Sequence, residues 1–110
     1  MGTRFLEFKV NKQRLIKKED CDFSFIVAGS AGYLRARFYF SEEWTGCNKA
    51  ASFWIDDAEY AVLLDGNNEC VIPKEALSGD LFSVSVTGMS GTAGNKYRIT
   101  TNKIKVRQEV

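Results

Sequence analysis

A chain of 110 residues with 45% hydrophobic and 13% aromatic side chains has the apolar area to bury one core, which excludes a disordered segment and makes residues 1–110 a single domain. Fifteen Lys and Arg against fourteen Asp and Glu leave a formal charge of +1, so no net field gathers nucleic acid or anionic lipid. His is absent, which removes the common Ser-His-Asp and Cys-His nucleophile arrangements and every His-containing zinc site.

Thr3 to Val10 alternates, with Leu6, Phe8 and Val10 on one face and Glu7 and Lys9 on the other, the pattern of a half-buried strand. Asn11-Lys12-Gln13 reads as a turn and Arg14 to Lys17 as a short returning strand. Cys21 to Val27 is expected to be a strand presenting Phe23, Phe25 and Val27 together, and the Gly29-Ser30-Ala31-Gly32 break then predicts a hairpin into the next one. Tyr33 to Phe40 has the cleanest alternation: Leu34, Ala36, Phe38 and Phe40 point one way, Tyr33, Arg35, Arg37 and Tyr39 the other.

Ser41 to Ala50 joins that strand to Ala51–Ile55, and it carries Trp44 and Gly46. A large aromatic inside a connection needs an apolar place to go. Trp44 is therefore expected to plug one end of the core, beside Phe40 and Phe53, with Gly46 permitting the return. Asp56-Asp57 ends the strand. Glu59–Leu64 and Glu69–Ile72 flank Asp65-Gly66-Asn67-Asn68, which predicts a β-hairpin. Pro73 to Leu77 reads as one helical turn stopped by Ser78-Gly79. Leu81 to Thr87 alternates again, Gly88 to Asn95 reads as a loop, and Tyr97–Thr101 with Lys103–Val106 supplies the closing strand or pair.

Eight or nine short strands at this spacing indicate an all-β fold, a two-sheet antiparallel β-sandwich of immunoglobulin-like outline with a helical turn near residues 73–77. A small closed barrel is the other architecture the pattern allows.

Catalytic and metal-binding chemistry is not expected. Cys21, Cys47 and Cys70 lack CxxC spacing and lie on or beside apolar segments, so they read as free, buried thiols; a disulfide between two of them is the alternative in an extracellular particle. Glu42-Glu43 and Asp56-Asp57 place neighbouring carboxylates on opposite sides of the chain, unlike the facing pair of a glycosidase. The glycines from Gly88 to Gly94 are followed by a strand pattern rather than by a helix N-terminus, so they do not make a phosphate loop. No cofactor is implied, and no apolar run reaches membrane-spanning length. Met1 to Leu6 fits neither a secretory leader nor a myristoylation signal. What stands out is the aromatic and Arg content of outward positions. Tyr33, Arg35, Arg37 and Tyr39 share one strand face, and Trp54 faces outward on its own strand; were those strands neighbours, they would form a surface for protein contacts or for stacking a sugar ring.

The run Phe40-Ser41-Glu42-Glu43-Trp44-Thr45-Gly46, followed by Lys49-Ala50-Ala51-Ser52-Phe53, resembles a recurrent pattern of small prophage domains. Three further segments follow the same layout: Cys70 to Leu77, Phe82 to Gly88 and Arg98-Ile99-Thr100-Thr101-Asn102. The resemblance runs collinearly from about Lys9 onward, although Cys47 directly after Gly46 and the longer glycine loop depart from it. It implies an immunoglobulin-like sandwich in a tail- or baseplate-associated minor structural protein. The implied role is a non-enzymatic structural or adaptor module, made in the host cytoplasm and then carried in the particle. Its partners would be other phage structural proteins or a second copy. Recognition of a bacterial surface glycan is the alternative.

Overall fold

The computed structural model describes residues 2–91 and 96–110. Among the described residues nine strands form two sheets: β1 (Arg4–Asn11), β2 (Arg14–Lys17), β3 (Leu34–Phe40), β4 (Asn48–Ile55), β5 (Ala58–Leu63), β6 (Glu69–Val71), β7 (Leu81–Ser90), β8 (Tyr97–Thr100) and β9 (Ile104–Arg107). The first sheet has the order β2-β1-β3-β6; the second has the order β5-β4-β7-β8, with β9 also on β7. Both are open at their edges, so the fold is a sandwich and not a barrel.

Period-two alternation sets the inner faces. Leu6, Phe8 and Val10 of β1 and Leu34, Ala36 and Phe38 of β3 are buried, facing Ala51 and Phe53 of β4 and Phe82, Val84 and Val86 of β7. Burying each of these large side chains contributes roughly 1.5–3 kcal/mol. Ala36 lies between Leu6 and Cys70 in the ladder, a place where a small residue lets larger neighbours close over it.

β1 and β3 pair in parallel, from Arg4 opposite Leu34 to Val10 opposite Phe40. Every other strand pair is antiparallel. The parallel pairing requires a long crossover, and residues 18–33 supply it. They do not form the expected Cys21–Val27 strand and hairpin: Val27 makes only an isolated bridge, to Glu109, and the buried residue is Ile26 while Phe25 points out.

The expected hairpin between Glu59–Leu64 and Glu69–Ile72 is also corrected. The reversal exists, since Asp65 Oδ1 accepts from the amides of Asn67 and Glu69 and Asn68 has φ +60°. However, β5 pairs with β4 and β6 pairs with β3, so the turn carries the chain from one sheet to the other. In place of the expected helical turn near residues 73–77 the chain makes two overlapping turns, closed by Ala76 N–H to Pro73 O and Leu77 N–H to Lys74 O. Among the described residues the helical element is a 3-10 turn at Glu42–Trp44, in the connection expected to be a loop. Gly88 belongs to β7 rather than to a loop; Thr92 to Asn95 of that expected loop lie outside the described residues.

β8 and β9 behave as one strand interrupted by a bulge. Thr87 faces Thr100 and Val84 faces Ile104, so β7 advances by one residue less than its partner. At the bulge the Asn102 side chain turns across to the first sheet, accepting from Leu15 N at 2.8 Å and donating to Leu15 O at 3.4 Å. Gln13 Nε2 returns a bond to Thr100 O. Together these bonds tie β2 to the second sheet along one side of the sandwich.

Candidate functional site

Of the four residues expected to plug one end of the sandwich, Phe40, Trp44 and Gly46 come together there. Trp44 is fully buried, its ring centroid 5.0 Å from that of Phe40, and its Nε1 donates to Lys12 O at 2.7 Å. Gly46, at φ +79°, lets the chain return into β4. Phe53 lies elsewhere along the core. Lys49 faces Gly88, against which Trp44 packs, whereas Phe53 faces Val84, roughly 13 Å further along the strand; its ring neighbour is Phe82, at 6.2 Å.

The outward aromatic and Arg residues are divided between the two outer faces of the sandwich, because β3 and β4 lie in different sheets. On the first sheet, Arg37 is held between Glu69 at 2.7 Å and Glu7 at 3.4 Å and covers the Phe5 ring at 4.0 Å. The Glu69 hydrogen bond raises the Arg37 pKa still further above its ordinary value. Tyr39 donates to the same Glu7 carboxylate at 2.6 Å. Arg35 lies near Asp65 and Glu69. On the second sheet, Trp54 donates from Nε1 to Ser85 Oγ, and Lys103 Nζ sits 3.6 Å from the centre of its ring. Arg35, Arg37, Tyr39 and Trp54 are thus engaged within the fold.

Tyr33 belongs to a different arrangement. It lines a shallow cleft of 160 Å³ with Arg4, Phe25, Ile26, Val27, Ser30 and Leu34, at the end of the sandwich opposite Trp44. Phe25 is 80% exposed, Val27 56% and Tyr33 48%. Phe25 also has φ +56°, a left-handed conformation that costs a bulky L-residue about 1–2 kcal/mol.

Local structure shows how that strain is held. Asp22 accepts hydrogen bonds from the Ser24 hydroxyl and amide, and these bonds hold its carboxyl below the ordinary Asp range, with Arg4 adding a smaller effect. The Arg4 guanidinium then donates to three carbonyls of the same loop: Asp22 O at 2.9 Å, Ser24 O at 2.7 Å and Phe25 O at 3.2 Å. On the other side of Phe25, Ile26 is buried, Glu109 N donates to Ile26 O, Ala28 N to Glu109 O, and Gly29 N to Leu77 O. Phe25 is therefore pinned on both sides with its ring in solvent.

No protein-family model matches this chain, and no curated protein matches it. What the site can do rests on its own chemistry. A rigid exposed aromatic beside two further exposed apolar side chains suits the centre of a protein contact, where little side-chain entropy is lost on binding.

The same end carries a second feature. A cleft of 820 Å³ lies on the other side of Ser30, lined by Tyr60, Ile55, Asp56, Asp57, Lys74 and Glu75 among others. Among the described residues, no three His, Cys, Asp or Glu side chains gather as metal ligands would, and no helix is long and apolar enough to cross a membrane. Cys47 and Cys70 are buried and all three cysteines are unpaired; burial pushes the Cys70 thiol up to about 12. Cys21 is half-exposed, and its sulfur accepts from Glu7 N at 3.3 Å and lies 3.7 Å from Phe5 O, standing in for a strand partner where β2 leaves β1.

The expected Cys21–Val27 strand grouped Phe25 and Val27 with Phe23 on one face and did not single them out as an exposed patch. Alternation there is genuine but carries no fold. The deciding contact, Arg4 to the loop carbonyls, bridges the start of β1 to a segment some twenty residues on and leaves no local signal.

Proposed function

We propose that this chain is a non-enzymatic binding module, a structural or adaptor part of a phage-like particle that works through protein contacts. The observation that carries the reading is Phe25, held in a strained backbone conformation with its ring in solvent. Strain of this kind is removed by a single change to Gly at no cost in core packing, so its presence favours a use for the ring. Val27 and Tyr33 enlarge the apolar area around it. The particle context rests on the sequence resemblance, and it brings with it assembly in the host cytoplasm followed by residence in the particle.

The test uses purified tail and baseplate assemblies passed over the immobilised chain. Phe25→Gly should keep the fold, with stability unchanged or raised by up to about 1 kcal/mol, and should lose capture. Equal capture by the native chain and by the Phe25→Gly and Val27→Ser variants would remove the reading.

A glycan-binding reading is favoured by one observation, the Tyr60 cleft, where an aromatic ring stands beside carboxylates and the hydroxyls of Ser30 and Ser78. A sugar ring stacks on such a face while its hydroxyls donate to carboxylates. Trp54 is less suited to that role, since Lys103 covers its ring. Binding on a bacterial glycan array that disappears in Tyr60→Ala, with Phe25→Gly unaffected, would select this reading over the first.

A further inference from the structure

We infer that the free edge of β5 pairs with β5 of a second copy, in antiparallel register about a two-fold axis at Ala61. This inference stands apart from the Phe25 patch and goes beyond it, because it names a second surface, its partner and its register.

Exposed strand edges are templates for adding another strand, and natural sheets usually blunt them with Lys, Pro, bulges or short length. The other edges of this protein are blunted. β2 carries Arg14 and Lys17, and the backbone of its Leu15 is taken up by Asn102. β6 has only three residues. The β8–β9 edge is bulged and presents Arg98, Lys105 and Arg107.

β5 has none of these devices. Ala58 to Leu63 runs in unbroken register with β4, contains neither Lys nor Pro, and among the described residues meets no strand on its other side. Leu63, 76% exposed, ends it.

The hydrogen-bond phase identifies the open groups. Leu64 N donates to Lys49 O, so by antiparallel alternation Ala58, Tyr60 and Val62 bond to β4, and Glu59, Ala61 and Leu63 direct N–H and C=O to the free edge. A two-fold at Ala61 maps this set onto itself. Glu59 then faces Leu63 of the second copy, Ala61 faces Ala61, and each facing pair exchanges both of its backbone bonds, as an isologous interface requires.

The position of Glu59 is compatible with this register. Glu59, the one charged residue of β5, does not meet its own copy, and its carboxylate is turned back onto Ser52 Oγ. The same register sets Asp57 of each copy opposite Asp65 of the other, beside the cleft at Leu63, where the Lys49 ammonium lies over the Phe40 ring of its own chain. The Asp65 carboxylate in that pair is engaged by Arg35 at 3.6 Å and by the amides of Asn67 and Glu69.

Sedimentation velocity over a concentration series tests the pairing, and the native chain should show a reversible monomer–dimer equilibrium. Leu63→Lys and Ala61→Pro should each weaken dimerisation by at least about tenfold with unchanged far-UV circular dichroism; the first alters only an exposed side chain, so it remains informative if the Pro variant fails to fold. Ala61→Cys should form a covalent dimer on mild oxidation, since facing Cα atoms about 5.5 Å apart lie within disulfide range, whereas Glu59→Cys should not. A native chain that stays monomeric at every concentration, a dimer indifferent to Leu63→Lys, or equal cross-linking of the two Cys variants would overturn the inference.

Discussion

Truncating Trp44 to Ala tests whether the connection after β3 is a structural plug. The indole is fully buried, packs at a tilt against Phe40 and donates to Lys12 O at 2.7 Å. Roughly 200 Å² of aromatic surface at about 25 cal/mol per Å² gives an upper bound near 5 kcal/mol. The lost hydrogen bond adds about 1 kcal/mol, and partial collapse of the cavity offsets some of the total. The expected cost is therefore about 3–5 kcal/mol, a large part of the ~5–15 kcal/mol that holds a domain of this size. Urea unfolding followed by far-UV circular dichroism is the suitable assay, because Trp44 is itself a fluorophore. A loss below about 1 kcal/mol would refute the plug. Gly88 supplies a stricter check. A Cβ built there would lie 2.8 Å from Trp44 Cε3 and 3.2 Å from Cys47 Cβ, so Gly88→Ala should cost about 1–3 kcal/mol in the native background and clearly less once Trp44 is Ala, when only the approach to Cys47 is left. Additive effects of the two substitutions would show that the ring does not press on β7.

Three further outcomes follow from single contacts. Asn102→Ala should cost about 1–2 kcal/mol and abolish hydrogen-exchange protection of the Leu15 amide, which it caps; a protected Leu15 amide in that variant would refute the tie between sheets. Cys70, pushed up to about 12 by burial, stays neutral in the fold at a pH where the unfolded thiol ionises, so its contribution is complete below about pH 8.5 and falls as pH rises, by up to ~1.4 kcal/mol per unit. Comparing urea midpoints of the native chain and Cys70→Ala from pH 8 to 10.5 checks it, and parallel pH slopes would contradict it. Arg37→Gln should cost no more than about 1 kcal/mol despite two carboxylate partners, because the pair is partly solvated, and the difference should shrink in high salt.

The parts of this fold that were legible in the sequence are those fixed by local pattern. Alternation in Leu6-Phe8-Val10, Leu34-Ala36-Phe38 and Phe82-Val84-Val86 located the inner faces of β1, β3 and β7, since a strand buried on one side has no other way to place its apolar residues. Trp44 as a plug was legible for a similar reason: a large aromatic between two strands must be covered. Partner choice was not legible. Asp65 to Asn68 encodes a reversal, but whether the reversed strand returns to its neighbour or crosses to the facing sheet depends on β3 and β4, which are distant in sequence. Gly88 looked like the start of a loop because a glycine weakens a strand; the fold keeps it there because the space a Cβ would need is filled by the Trp44 ring. The division of Tyr39 and Trp54 between opposite outer faces has the same origin as the missed crossover.

The two ends of the sandwich treat a large aromatic in opposite ways, and the contrast bears on function. At one end Trp44 is enclosed, hydrogen-bonded and placed where a glycine makes room for it, so every contact favours stability. At the other, Phe25 sits at a backbone angle a glycine would adopt more readily, with its ring in water and a guanidinium directed at three carbonyls to keep the loop in shape. Core formation does not account for the second arrangement, since Ile26 already supplies the buried anchor of that loop. A loop that needed only to cross from β2 to β3 would be more stable with Gly or Asn at position 25. Local strain held by a dedicated cation, with an exposed aromatic as its result, is the pattern expected where stability has been given up for recognition. That asymmetry is why the proposed contact surface is the Phe25 end, while the contacts of Trp44 are those of a structural plug.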